Sequence, residues 1–228
     1  TLFFTKGGYF KKITPQSLRM SGQQKLKEGD EIAQTVETSN TAHLLFFTNQ
    51  HQVYKSRVSE FEDSKASLLG DFIAGKLEMD PEELPVYMAV YNDYNGYMIF
   101  AFENGKIAKV DLVSYETKTN RKKLVGAYSD KSPLVKILAL AEDAQLAVYS
   151  TDSRCAIFST AQLLPKTTRN TIGVTAMSLK KKAVLTGALR LEESGIVNAS
   201  RYRSRNIPTA GALLKEEDSS EKQIAFEV

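Results

Sequence analysis

Leu45-Phe46-Phe47-Thr48-Asn49-Gln50-His51-Gln52-Val53-Tyr54-Lys55-Ser56-Arg57-Val58-Ser59-Glu60-Phe61 is the stretch that decides the fold. An apolar run leads into a polar turn, and a second run sets basic residues among apolar ones before an aromatic exit. Two short apolar runs around a tight polar turn read as a β-hairpin. The chain repeats this pattern. Aligned on His51, the other copies are Leu2–Thr14 with Gly8 at the turn, Ile99–Val110 with Gly105, Ala147–Phe158 with Ser153, and a degenerate Leu189–Ala199 with Gly195. Glycine at three of the five turns suits a backbone that needs positive φ.

A polar, basic connector reaching a glycine follows each hairpin: Ser64–Gly70, Thr119–Gly126, Thr168–Gly173 and Ser204–Gly211. Between connector and next hairpin lie strand-like runs such as Val86–Tyr91 and Leu134–Leu140. Each unit thus holds about four short strands in roughly 47 residues, the period of propeller-like rings built from four-stranded blades. The expected fold is all-β, a ring of about five such blades, open or closed. It forms one domain over residues 1–228, with 212–223 a loose acidic segment. A strand at Ile224–Val228 pairing with the first unit would close the ring and remove exposed edges. Helical signal is weak: Asp80–Leu84 could start one turn that Pro85 ends.

The 228 residues hold one cysteine, two histidines and no tryptophan. One cysteine excludes an internal disulfide framework and fits a reducing cytoplasm. Cys155 aligns with Val53 and Ile107, an apolar strand position, so it reads as core. No apolar run reaches the roughly 20 residues of a membrane span. The opening Thr1–Lys6 looks like the inside of a strand, so the chain reads as a piece of a longer protein. Zinc spacing, a GxxxxGK[ST] loop and a GxSxG elbow are all missing. The carboxylate pairs Glu82/Glu83, Glu192/Glu193 and Glu216/Glu217 read as solvated surface. Phe3, Phe4, Phe46, Phe47 and Phe100 read as core. No catalytic residue, metal site or cofactor is expected.

Charge is unevenly distributed. Residues 63–104 carry net −6, residues 105–210 net +10 and residues 211–228 net −3, within a total of +3. A basic stretch between acidic ones points to a polyanion partner, although a solvated face explains the same pattern. The basic residues recur with the repeat. Lys11, Lys12, Lys55, Arg57, Lys106, Lys109 and Arg154 sit on hairpins; Lys65, Arg121, Lys122, Lys123, Lys166, Arg169, Arg201, Arg203 and Arg205 sit on or beside connectors. In a ring of similar blades, equivalent positions share one edge. A repeated cation then becomes a belt suited to a bent phosphate backbone. Lys55 is matched by Lys12 and Lys109 at the same offset, which a purely structural hairpin would not require.

Gly8-Tyr9-Phe10-Lys11-Lys12, Leu45–Asn49 with Val53-Tyr54-Lys55, Glu103–Lys109 and Arg169–Val174 together make the chain resemble the C-terminal domain of the A subunit of bacterial type IIA topoisomerases, DNA gyrase and topoisomerase IV. The resemblance covers about residues 2–180. It implies a β-pinwheel whose blades exchange strands and whose basic rim binds and bends double-stranded DNA. It further implies partnership with the rest of the A subunit, together with the ATPase B subunit, in the bacterial cytoplasm at the nucleoid. The catalytic tyrosine, metal and ATPase lie elsewhere in such an enzyme. Gyrase carries a Gln-Arg-Arg-Gly-Gly-Lys-Gly-like box after the first hairpin. The corresponding Arg19–Asp30 is shortened and lacks the paired glycines, keeping at most Gln24, Lys25 and Lys27 as remnants. This favours a topoisomerase IV-like subunit, with a diverged gyrase as the near alternative. A protein-interaction propeller is the competing reading of another class. The absence of any Trp-Asp dipeptide disfavours the commonest scaffold of that kind.

Overall fold

The computed structural model describes residues 1–219, and the first four aligned runs are hairpins in it. In chain order the elements are β1 (Leu2–Thr5), β2 (Tyr9–Lys12), α1 (Pro15–Met20), β3 (Ile32–Val36), β4 (His43–Thr48), β5 (Val53–Arg57), β6 (Asp71–Phe72), α2 (Ile73–Lys76), β7 (Pro85–Tyr91) and β8 (Tyr97–Phe102). They continue with β9 (Lys106–Asp111), β10 (Lys123–Leu124), β11 (Leu134–Leu140), β12 (Gln145–Ser150), β13 (Arg154–Ser159), β14 (Val174–Thr175), β15 (Leu185–Arg190) and β16 (Ala212–Leu213). The turn positions Gly8, His51, Gly105 and Ser153 all take positive φ, between 57° and 84°. His51 is a turn residue, as the alignment requires.

The strands form four antiparallel sheets of four, in the orders β3-β1-β2-β6, β10-β5-β4-β7, β11-β8-β9-β14 and β15-β12-β13-β16. One rule generates the first three. A hairpin supplies the two central strands, and the next long strand flanks its first member. The short strand on the far edge arrives from beyond the following hairpin. Blades therefore exchange strands, as the pinwheel resemblance implies. The fourth sheet keeps the pattern, but its far edge, β16, arrives without a hairpin in between.

The count of five blades is corrected to four among the described residues. Leu189 and Arg190 belong to β15, and residues 191–205 hold two 3-10 turns, Leu191–Glu193 and Ala199–Arg201, in place of a hairpin. That stretch lacks two apolar runs of strand length, so it cannot cover both faces of a blade. The expected closing strand at 224–228 lies outside the described residues. Residues 212–219 are docked, not loose: β16 pairs with β13, and Asp218 is fully buried. Asp80–Leu84 forms a turn and not a helix.

The chain divides into two compact units, residues 1–94 with 117–127, and residues 95–116 with 128–228. Each holds two of the sheets. The first unit's core is aromatic: Phe4 and Phe10 of one sheet meet Phe46 of the other with ring centroids 5.9 Å apart, and Phe61 closes on Phe10 at 4.5 Å. Phe3, Phe4, Phe46, Phe47 and Phe100 are all buried, as expected. The second unit's core is mostly aliphatic, with Ile99, Leu138 and Leu140 clustered with Val148, Phe158 and Ala188. Cys155 is buried in the same unit, and burial pushes its thiol up to about 12.

Candidate nucleic-acid interface

Each connector, or the residues just before it, lies along the second strand of a hairpin. The Ser64 amide donates to the Lys12 carbonyl (2.7 Å), the Lys55 amide to Lys122 (2.6 Å), the Lys166 amide to Lys109 (2.9 Å) and the Ser204 amide to Ile157 (2.8 Å). Lys65, Arg121, Lys122, Lys166, Arg203 and Arg205 are exposed, and no ion pair engages them among the described residues. Arg57 is exposed at the end of β5, where its charge and that of Lys55 add to burial in lowering the His43 pKa. Lys106 is half-buried at the start of β9.

The remaining expected belt residues are already engaged. Lys11 is 2% exposed, and its ammonium donates to the carbonyls of Lys25, Ala66 and Leu68 at 3.0–3.3 Å. Desolvation lowers its pKa, and no carboxylate pairs with it among the described residues. Lys109 is 4% exposed and bonds Asp143 Oδ1 (2.7 Å) and the Thr160 carbonyl (3.1 Å), with its ammonium 4.2 Å from the Tyr97 ring centroid. The bond from Lys109, with help from Thr160, holds the Asp143 carboxyl below its usual range.

The offset match of Lys12, Lys55 and Lys109 thus has a structural explanation that hairpin geometry did not suggest. Lys12 reaches Asn40 Oδ1 and the Val58 carbonyl, which flank the β4–β5 hairpin. Lys109 reaches Asp143 and Thr160, which flank β12–β13. Lys55 bonds Thr117 Oγ1 and lies over the Tyr94 ring at 5.9 Å. The repeated lysine is a strut between one hairpin and neighbouring loops. Lys11 and Lys109 are corrected from belt positions to buried struts.

Four more cations hold connectors in place. Lys123 pairs with Asp80 (2.7 Å), Arg154 donates to the Gly211 carbonyl (3.1 Å), Arg169 to the Ser114 carbonyl (2.9 Å), and Arg201 to Glu217 (2.9 Å) and Asp218 (3.3 Å).

Two buried carboxylates escaped sequence reasoning. Glu83 is 2% exposed, not solvated. It accepts bonds from Thr48 Oγ1 (2.6 Å), Gln52 Nε2 (2.8 Å), the Tyr54 hydroxyl (2.7 Å) and the Asp80 amide (2.9 Å). Burial, then this bond to Glu83, pushes the Tyr54 hydroxyl up to about 12. Asp218 accepts from the Tyr202 hydroxyl (2.5 Å) and the amides of Val197 (2.8 Å) and Asn198 (3.0 Å). Burial opposes its ionisation, but these donors and Arg201 outweigh that and hold its carboxyl below the usual range. Neither position repeats, so no alignment within the chain could flag it.

Four antiparallel blades with exchanged edge strands define an all-β, propeller-like domain of the pinwheel kind. The family described as "DNA gyrase C-terminal domain, beta-propeller" matches residues 1–36, 42–67 and 159–192. The DNA gyrase A subunit of Streptomyces coelicolor is 31% identical over 123 residues, covering 50% of this chain and 14% of that protein. The DNA topoisomerase 4 A subunit of Bacillus subtilis is 26% identical over 125 residues, covering 53% and 16%. The crystal structure of the C-terminal domain of DNA topoisomerase IV superposes with a TM-score of 0.71 at 23% identity, covering 85% of this chain and 61% of that one, and shares the fold. The chain spans less than a fifth of the length of these two sequence relatives. In sequence it is similar to parts of the A subunits of DNA gyrase and DNA topoisomerase 4.

Proposed function

We propose that this chain binds and bends duplex DNA as the non-catalytic C-terminal domain of an ATP-dependent type II topoisomerase, presenting a DNA segment for strand passage. The observation that carries this reading is the set of exposed cations that no ion pair engages among the described residues, Lys65, Arg121, Lys122, Lys166, Arg203 and Arg205, on segments tied to the hairpins by backbone bonds. A cation held in no salt bridge can replace a phosphate counterion with none to break first. The resulting affinity is sequence-tolerant and falls steeply with salt. Arg57 and Lys106 extend the same set. Lys12, Lys55, Lys123, Arg154, Arg169 and Arg201 contribute through the loops they hold.

The subunit is topoisomerase IV-like on this reading, because the 19–30 segment lacks the gyrase box. A diverged gyrase is the alternative. The partners are the rest of the A subunit, together with the ATPase B subunit, in the bacterial cytoplasm. No cofactor is assigned to this domain.

The test is duplex binding across a salt series. Reversing Lys65, Lys122, Lys166 and Arg205 to Glu should flatten the slope of log affinity against log salt by about three to four, at ~0.9 per phosphate contact. K131E, a reversal on a cation already beside Asp130, is the control. Full affinity in the quadruple variant would overturn the interface. Constrained supercoils on circular DNA with bound wild type would overturn the topoisomerase IV-like assignment and favour gyrase. Stable capture of a protein with no duplex binding at low salt would favour the interaction propeller.

A further inference from the structure

His43 opens β4, at the end of its hairpin away from the turn. In register it lies opposite Arg57 of β5 on one side and Tyr91 of β7 on the other. Opposed side chains share one face of a sheet, with Cβ atoms roughly 4.5–5.5 Å apart, and Lys55, two residues along β5 from Arg57, belongs to the same face. The imidazole stacks on the Tyr91 ring, centroids 5.4 Å apart and 17° from parallel, and Tyr94 packs against both rings at 6.1 and 4.9 Å. The Lys55 ammonium lies over Tyr94 and donates to Thr117 Oγ1, a neutral acceptor. No ion pair engages His43, Lys55 or Arg57 among the described residues. Of the nearby carboxylates, Asp93, between the two tyrosines in the chain, is exposed, and Glu60 bonds Ser56, which belongs to the opposite face of the sheet. All of these residues lie in the first compact unit.

A half-buried imidazole beside two cations and over an aromatic ring is set for a proton-linked contact to an anion. Burial, then the charges of Arg57 and Lys55, disfavour the imidazolium in the free chain. A phosphate drawn to Arg57 and Lys55 offsets those two charges. The imidazolium then gains the phosphate beside it and the Tyr91 ring beneath it. We propose that His43 is a proton-linked contact to duplex DNA, taking up a proton from solvent when a phosphate settles against Arg57 and Lys55. Because the complex holds more protons than the free chain, affinity rises as pH falls. The inference rests on the DNA-binding reading above and adds to it a residue and a pH dependence.

The sequence makes the test clean. In 228 residues with two histidines, the groups that ordinarily titrate between about pH 6 and 8 are His43, His51 and the amino terminus. The experiment measures duplex affinity of the whole chain at low salt across that range, for wild type, H43F, H43Q and H51N. H43F keeps a ring on Tyr91 but takes no proton, and H51N alters the histidine at the turn of the same hairpin. Affinity of wild type and H51N should rise roughly three- to tenfold from about pH 8 to about pH 6, tenfold being one pKa unit of coupling. H43F and H43Q should match wild type at the alkaline end and stay flat. Titration calorimetry in two buffers of different ionisation enthalpy should show proton uptake on binding in wild type and H51N, and none in the His43 variants. Flat wild-type affinity without proton uptake would overturn the inference and leave the DNA-binding reading standing. Uptake that persists in H43F and H43Q, or disappears in H51N, would overturn it likewise. Weaker binding of both His43 variants at the alkaline end, with the pH dependence kept, would reduce His43 to a structural part of the hairpin and overturn it too. Failure of wild type to bind duplex at any pH would overturn both readings.

Discussion

Gly173 and Gly29 share the same positive φ, +77°, in different surroundings, and an alanine at each separates two costs. A Cβ on Gly29 meets nothing within 4 Å. A Cβ on Gly173 would lie 2.4 Å from the Ile107 oxygen, 2.5 Å from its carbon and 2.7 Å from the Ala108 nitrogen. These are backbone atoms of β9, a central strand held between β8 and β14, and they cannot swing aside as a flexible side chain could. G29A therefore costs only the left-handed conformation, roughly 1 kcal/mol. G173A adds the displacement of a packed strand, about 1–3 kcal/mol more. At ~2–4 °C per kcal/mol for a chain of this size, G29A should lower the melting midpoint by about 3 °C and G173A by two to four times as much. Calorimetry or urea melts measure this directly. Hydrogen exchange of the Ala176 amide, which bonds the Gly105 carbonyl at 3.0 Å, reports whether β14 has left the blade edge. Equal losses in the two variants would refute the claim that close approach, and not φ alone, requires glycine at this hand-over.

Three further predictions follow from the buried groups. E83Q should return the Tyr54 hydroxyl from about 12 toward its ordinary value near 10, read by ultraviolet titration, and cost on the order of 2–3 kcal/mol because one acceptor oxygen becomes a donor facing donors. Lys109 holds the folded pKa of Asp143 below the unfolded value, so this pair's stabilisation is present above pH ~4 and lost as pH falls through the depressed value. D143N should remove that acid-side loss, and an unchanged acid limb in a pH series of urea melts would refute it. Cys155, fully buried with its thiol pushed up to about 12, should resist aromatic disulfide reagents at neutral pH until the second unit unfolds. Rapid labelling of the native chain would contradict its placement in the core.

How much of this was legible depended on whether a feature repeats. Hairpins were readable because apolar runs around a turn occur four times, and the four turn positions share positive φ although only two of them are glycine. The connector glycines were readable too, with one slip. Gly70, Gly173 and Gly211 precede their edge strands, whereas Gly126 follows β10. The fifth blade was an over-extension of the pattern. Leu189-Arg190-Leu191 has the composition of a hairpin strand but completes the fourth sheet, because β12 offers an open edge beside it. Within the candidate interface, the exposed connector cations were found by sequence, and so were Lys11 and Lys109, which are buried. A lysine's position in a repeat says nothing of which way its ammonium turns.

By itself the sequence determined the all-β class, the first four hairpins, the basic connectors and the likeness to topoisomerase C-terminal domains, since these rest on local periodicity, turn chemistry and repetition along the chain. Only the tertiary structure decided the blade count, the burial of Glu83 and Asp218, and which cations no ion pair engages among the described residues. Those depend on partners 16 to 57 residues away: Lys109 on Asp143 and Thr160, Lys11 on Ala66 and Leu68, Tyr202 on Asp218. A charge is available to a ligand only after the fold has met its own demand for counter-charges and carbonyls, and that demand is set by packing between segments that the linear order keeps apart.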